Sequence, residues 1–206
     1  MAQSKVKKAF RNAFENRCIK LLVAAYESAI HDEAILLDWN ENDITAQLHE
    51  YIDSDQTRLN WCIISNVEHH LPKDSIEKKK GFAAKYPRID LRFATIKSKL
   101  EYKYFFEAKN LKQKSSALRR RYIDTGIDNF NSKKYANGCL VAYLLSGDVE
   151  LTIGEINSLL VKDNREKETL SKEDCKYHDS YYESSHSNIQ CLKHYIFDFS
   201  FLHRVC

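Results

Sequence analysis

Residues 88–109 read RIDLRFATIKSKLEYKYFFEAK, and the alternation inside this stretch decides the fold. Successive side chains of a strand point to opposite sides. Over 88–96 that rule sets Ile89, Leu91 and Phe93 on one face and Arg88, Asp90 and Arg92 on the other. Over 101–109 it sets Tyr104, Phe106 and Ala108 against Phe105, Glu107 and Lys109. A hairpin turning around Ser98 and Lys99 pairs positions whose numbers add to 197. Asp90 then faces Glu107, with Lys109 on the same side. No Asn-Gly or similar turn signal fixes the register, so it stands as an expectation.

Outward from this hairpin the pattern turns helical. Phe10, Phe14, Ile19, Leu22, Tyr26 and Ile30 recur at helical intervals within 7–37. A second helix is expected near Asn40, with Asn40 and Asp43 at capping distance. Its apolar stripe is Ile44, Leu48 and Tyr51 or Ile52. Glu41 lies three residues before Ile44 and projects from that inward side. WCIISNV at 61–67 has strand character. Residues 71–87, with Pro72, Lys78–Lys80, Gly81 and Pro87, read as a connection. Residues 115–135 suit a helix interrupted near Gly126. GCLVAYLL at 138–145 suits a strand buried on both faces. Gly147-Asp148 ends it, a helix follows over 149–161, 162–187 reads as polar loop, and 194–201 as a last strand. There are no internal repeats.

The fold class expected is therefore α/β (α+β), a central mixed sheet of four or more strands flanked by helices. The core order over 41–145 is αβββαβ. A helical extension at 1–37 and a C-terminal extension at 148–206 complete a single domain, 1–206.

Composition fits a globular chain: 206 residues, 43% hydrophobic and 30% charged, with 5 Gly and 2 Pro. The net charge of +3 conceals an uneven distribution. Residues 32–55 hold eight acids and no Lys or Arg, whereas 97–121 hold nine basic residues and two acidic ones. A solvated polar face is the ordinary reading of such a run. The other is a phosphate-binding flank: Lys112, Lys114, Arg119, Arg120 and Arg121 follow directly after Lys109. Gln113 reads either as a contact to phosphate or water, or as an exposed amide. The basic start lacks the apolar stretch of a signal peptide, and no segment has the apolar length to span a bilayer. The six cysteines contain no CxxC, which suits reduced thiols and a cytoplasmic setting. A Gly-rich phosphate loop, a Ser nucleophile elbow and an HExxH motif are all absent from the sequence.

Two carboxylates beside a lysine make poor structural filler, since like charges opposite one another destabilise a sheet. A hard divalent cation removes that penalty. Mg²⁺ takes oxygen ligands, commonly one or two carboxylates with water and a substrate phosphate. It acidifies bound water and stabilises charge on phosphate oxygens. Lys109 is then placed to orient the water, to act as its base, or to balance phosphate charge.

Pro87-Arg88-Ile89-Asp90 followed by Glu107-Ala108-Lys109 resembles the PD-(D/E)xK nuclease superfamily, over roughly 41–145. The Pro lies three residues before the Asp rather than adjacent to it. The resemblance implies a restriction-endonuclease-like core and hydrolysis of phosphodiester bonds, most often in DNA, with a 5′-phosphate and a 3′-hydroxyl as products. It implies Mg²⁺, replaceable by Mn²⁺, on Asp90, Glu107 and the Ala108 carbonyl, with Lys109 assisting the water. It also implies a Glu from the preceding helix, for which Glu41 is the choice; a first-turn acid on the helix dipole is its alternative. Glu50 falls off the apolar stripe. Restriction or defence against foreign DNA, and a homodimer with one centre for each strand, follow from the same resemblance.

Two other functions suit parts of the chain. One is a non-catalytic nucleic-acid-binding module on the same fold. The other is a zinc-stabilised regulatory or interaction protein, since Cys175/His178 and Cys191/His194 form two C-x2-H pairs. His186 reads as a phosphate contact or as a surface histidine. Tyr122 and Tyr135 read as stacking or phosphate contacts or as ordinary core residues, and are left unassigned.

Overall fold

A computed structural model describes residues 2–71, 86, 88–97 and 100–202. The expected features at Pro72, Lys78–Lys80, Gly81, Pro87 and the Ser98–Lys99 turn lie outside the described residues. Helix α1 spans Ala2–His31 and buries Phe14, Ile19, Leu22 and Tyr26. It stops short of residue 37 because Glu33 takes a left-handed φ of 49°, and the Ala34 N–H closes onto the Ala29 carbonyl. Helix α2 is Glu41–Ser54. Asn40 caps it as expected, with Asn40 Oδ1 taking the Asn42 and Asp43 N–H groups and Asp43 answering the Asn40 N–H. Ile44, Leu48 and Ile52 form its buried stripe. A short α3, Gln56–Asn60, follows.

Strands β1 (Ile64–His70), β2 (Arg88–Lys97) and β3 (Leu100–Lys112) come next. The expected 61–67 strand starts later because Trp61 and Cys62 form a turn, Cys62 at φ 54°. Helix α4 is Ser116–Arg121, a π-helical turn spans Tyr122–Ile127, and α5 is Asp128–Asn131. Strand β4 (Cys139–Ser146) and helix α6 (Val149–Lys162) follow. A 3-10 turn at Glu166–Glu168 leads to β5 (Ser171–Lys172), β6 (Tyr181–Ser184) and β7 (Leu192–Asp198).

The seven strands form one mixed sheet in the order β1-β2-β3-β4-β7-β6-β5. The β3/β4 and β4/β7 pairs are parallel and the others antiparallel. Helices cover both faces, which meets the expected fold class. The C-terminal region is more than an extension of the core, since β5, β6 and β7 supply three of the seven strands. The part of 162–187 expected as loop holds two of these strands. They span two and four residues, too short for alternation to register.

The β2/β3 register runs from Leu91↔Phe106 to Lys97↔Leu100, so opposed positions add to 197 as expected. One face of the sheet packs Leu91, Phe93, Tyr104, Phe106 and Tyr143 against α1 and α2. The other packs Phe105, Leu140, Leu144 and Ile196 against the π-helical turn and α6. Ile89 departs from its expected face: it joins the second cluster, opposite Leu91 and Phe93. The β1/β2 ladder explains this. Pairing holds at Val67↔Leu91 and His69↔Ile89 but omits Glu68 opposite Asp90, and Glu68 has a φ of 47°. The strand rotates at that step.

Strand β4 is sequestered between β3 and β7, with Cys139–Leu145 at most 2% exposed. The interruption expected near Gly126 is the π-helical turn. A Cβ on Gly126 would lie 3.0 Å from Leu140 Cδ2 and 3.5 Å from Lys109 Cγ. A larger residue here would push Leu140 aside, so glycine suits the close approach of this segment to the sheet.

Candidate active site

Asp90 sits where β2 leaves the regular β3 ladder, one step beyond Leu91↔Phe106. Its side chain takes over the pairing: Oδ2 accepts the Ala108 N–H at 2.6 Å. Lys109, on β3, is buried. Its Nζ donates to Glu107 Oε1 at 2.8 Å and to the Ala108 carbonyl at 2.7 Å, and stands 4.0 Å from Glu41 Oε2. Alternation along β3 puts Glu107 and Lys109 on one face, as expected.

Glu107 is held from both oxygens. Oε1 also accepts from Asn129 Nδ2 at 3.2 Å, and Oε2 accepts from the Tyr135 hydroxyl, which also reaches the Arg88 carbonyl. Burial, then Glu107 itself, pushes the Tyr135 phenol well up, so it stays a donor. Glu41 enters from the first turn of α2. Its Oε1 accepts the Asn110 N–H at 2.9 Å and its Oε2 accepts Arg121 Nη2 at 2.9 Å. Asn110 Nδ2 donates to the Trp39 carbonyl at 2.9 Å, which ties the approach to α2 onto β3.

The centre thus gathers Asp90, Glu107, Lys109 and Glu41 from three elements. Burial raises the Asp90 carboxyl to about 6, with the Glu107 charge adding to it; Lys109 and the Ala108 N–H oppose the rise and Glu41 reinforces it. A cation near Asp90 would offset this rise. The donors are all hard oxygens, including the Ala108 carbonyl, which is the chemistry Mg²⁺ prefers. The Lys109 ammonium lies across two of them, Glu107 Oε1 and Ala108 O. Among the described residues no three His, Cys, Asp or Glu side chains converge as metal ligands. The carboxylates turn instead to Lys109, Asn129, Tyr135, Arg121 and backbone N–H groups.

The basic flank is largely engaged within the fold. Arg119 donates to the Gln113 carbonyl and pairs with Glu155 at 3.0 Å. Arg120 pairs with Asp163. Arg121 reaches the centre through Glu41, with 53% of its side chain exposed. Lys112 is half-buried and Lys114 exposed. Gln113 does not face the centre: its Oε1 accepts the Asp148 N–H at 3.1 Å and its side chain packs on Gly147. Glu50 is exposed on α2.

The four proposed zinc ligands do not converge. Cys175 and His178 pack with the first cluster, where His178 Nε2 meets the Ile196 carbonyl at 2.8 Å and its ring meets Tyr26 and Phe197. His194 faces the opposite side of the sheet, bonded to Tyr122 and Ser184. Cys191 is exposed and meets Glu183. His186 is buried, not a surface group.

The sequence left Tyr135 unassigned and did not single out Asn129 or Asn110. Tyr135 and Asn129 reach Glu107 only because the chain folds back after the π-helical turn. Asn110 offered a faint signal as the polar neighbour of Lys109 on an otherwise apolar strand face. No protein-family model, curated protein or solved structure matches this chain.

Proposed function

We propose that the chain is a metal-dependent nuclease of the PD-(D/E)xK kind, hydrolysing phosphodiester bonds in DNA. One observation carries the reading: Asp90 and Lys109, from neighbouring strands, both bond the backbone of Ala108, the middle residue of Glu107-Ala108-Lys109. The Asp90 and Glu107 carboxylates and the Ala108 carbonyl would hold Mg²⁺ or Mn²⁺, with Glu41 as the further carboxylate. The bound ion supplies Lewis acidity and a more acidic water.

The protein's own groups account for the rest. Tyr135 and Asn129 fix the Glu107 carboxylate, so its orientation costs little when the substrate arrives. Lys109 Nζ lies beside the carboxylates, where it would orient a water or balance phosphate charge. Arg121 offers the nearest partly exposed guanidinium, suited to a phosphate oxygen. Near-complete burial of Glu107 and Lys109 excludes bulk water and strengthens these interactions.

Plasmid and linear DNA incubated with Mg²⁺, Mn²⁺ or EDTA test the reading. Cleavage is expected with either metal, none with EDTA, and none from Asp90→Ala or Lys109→Ala. Equal cleavage by wild type and both variants overturns it.

A further inference from the structure

Seven side chains form one continuous hydrogen-bonded path on the second face of the sheet. Tyr122 Oη lies 2.7 Å from His194 Nδ1, and His194 Nε2 lies 2.7 Å from Ser184 Oγ. Ser184 Oγ lies 2.7 Å from His186 Nε2, and His186 Nδ1 lies 2.7 Å from Glu168 Oε2. Arg165 Nη2 bonds both Glu168 Oε2 and Asp128 Oδ1 at 2.6 Å. Tyr122 opens the π-helical turn and Asp128 follows it directly. The path therefore starts and finishes at the two ends of one segment. Flanking that segment, Arg121 touches Glu41 and Asn129 touches Glu107.

The hydrogens have one consistent direction. Burial works against the Glu168 charge, yet the Arg165 guanidinium holds its carboxyl below the usual range, so it only accepts. Neutral His186 must then carry its hydrogen on Nδ1, leaving Nε2 to accept from Ser184. Ser184 accepts in turn from His194 Nε2–H, and His194 Nδ1 accepts from the Tyr122 hydroxyl. One added proton reverses this. Doubly protonated His186 donates to Ser184, Ser184 donates to His194 Nε2, and the His194 hydrogen sits on Nδ1. It then points at a Tyr122 oxygen whose own hydrogen loses its acceptor, in a residue with no exposure.

We propose that this path is a proton-operated brace: in its neutral sense it holds the π-helical turn against the sheet, and one proton on His186 loosens Tyr122 and withdraws Arg121 and Asn129 from Glu41 and Glu107. The charged and titratable groups facing His186 are Glu168 in the 3-10 turn, Arg165 just before it, Asp128 on α5 and His194 on β7. Burial lowers His186 and holds His194 further down, at about 3, so His186 takes the proton first. A π-helical turn is a rare geometry that depends on its surroundings, which is why the brace matters there. The link to the carboxylates rests on the nuclease reading; the reversal itself does not.

Two measurements separate these. Imidazole ¹⁵N spectra should show His194 protonated on Nε2 at neutral pH and on Nδ1 once His186 titrates. A single His194 form throughout the His186 titration overturns the brace. Mn²⁺ affinity should fall roughly tenfold further on acidification in the wild type than in Ser184→Ala, which breaks the path. Tyr122→Phe takes its place if Ser184→Ala does not fold. Equal pH dependence in wild type and variant overturns the coupling. If the wild type binds no Mn²⁺ at any pH, the nuclease reading fails and the spectra alone decide the brace.

Discussion

Asp90 and Lys109 hold the same alanine from opposite sides: Asp90 Oδ2 takes the Ala108 N–H at 2.6 Å, and Lys109 Nζ donates to the Ala108 carbonyl at 2.7 Å. Lys109 also neutralises Glu107 in a buried site. Lys109→Met therefore strands a buried carboxylate and should cost about 2–4 kcal/mol. Adding Glu107→Gln should restore much of that loss. Urea unfolding of the two single variants and the double variant measures the coupling. Additive losses would show that the two charges do not depend on each other.

Asp90 is expected to trade stability for function. Its carboxyl titrates near 6 in the fold, driven by burial and by Glu107, against an ordinary value of about 3.9. The folded state thus binds the proton more tightly, and stability is lost as pH rises from about 3.9 through about 6. Asp90→Asn removes that penalty and should stabilise the protein by about 1–2 kcal/mol at pH 7, while abolishing cleavage. Thermal melts of both proteins at pH 4 and pH 7 test this. A variant less stable than wild type at pH 7 refutes the sign.

His194 makes the opposite contribution. Burial lowers it to about 3, below the unfolded value of about 6.5. The stability it permits is complete above about 6.5 and is lost as pH falls toward 3, at about 1.4 kcal/mol for each tenfold difference in proton affinity. His194→Gln should flatten the acid side of the stability profile. An unchanged slope between pH 6 and pH 4 would exclude His194 as its source.

Tyr135→Phe removes the donor on Glu107 Oε2 and should weaken Mn²⁺ binding roughly 10- to 100-fold. Calorimetric titration reads the change directly. Full affinity in the variant would leave Tyr135 as a packing residue only.

Gly126→Ala places a methyl 3.0 Å from Leu140 Cδ2. Leu140 is fully buried and has little room to give, so a loss of about 1–3 kcal/mol is expected. Gly154→Ala, with nothing near its Cβ in the middle of α6, should instead stabilise by about 0.5–1 kcal/mol. Chemical denaturation of the pair compares them. Similar effects from both would mean that the π-helical turn does not need its close approach.

The hairpin register and the Asn40 cap were legible because both follow from local rules, strand alternation and cap spacing. The reversal at Ile89 was not, since a left-handed Glu68 leaves no mark in residue type. Charge counting found the basic run after Lys109 but not its partners, because Glu155 and Asp163 lie on or beside α6, far along the chain. Spacing paired Cys175 with His178 and Cys191 with His194, yet spacing does not record the face of the sheet on which a side chain stands. Glu41 was legible from its place beside the buried stripe. Tyr135 and Asn129 were not, since only the turn after Gly126 brings them to Glu107.

The sheet order sets a timetable for synthesis. Strand β4, apolar along its length, needs β7 on its outer side, and β7 begins only at Leu192. A nascent chain halted before that residue carries β4 with a bare, sticky edge. Strand β4, the neighbour of the strand that carries Glu107 and Lys109, therefore stays uncovered on that side until synthesis has passed Leu192. Products that stop before Leu192 should be clients for chaperones, and the proposed nuclease activity should require β7.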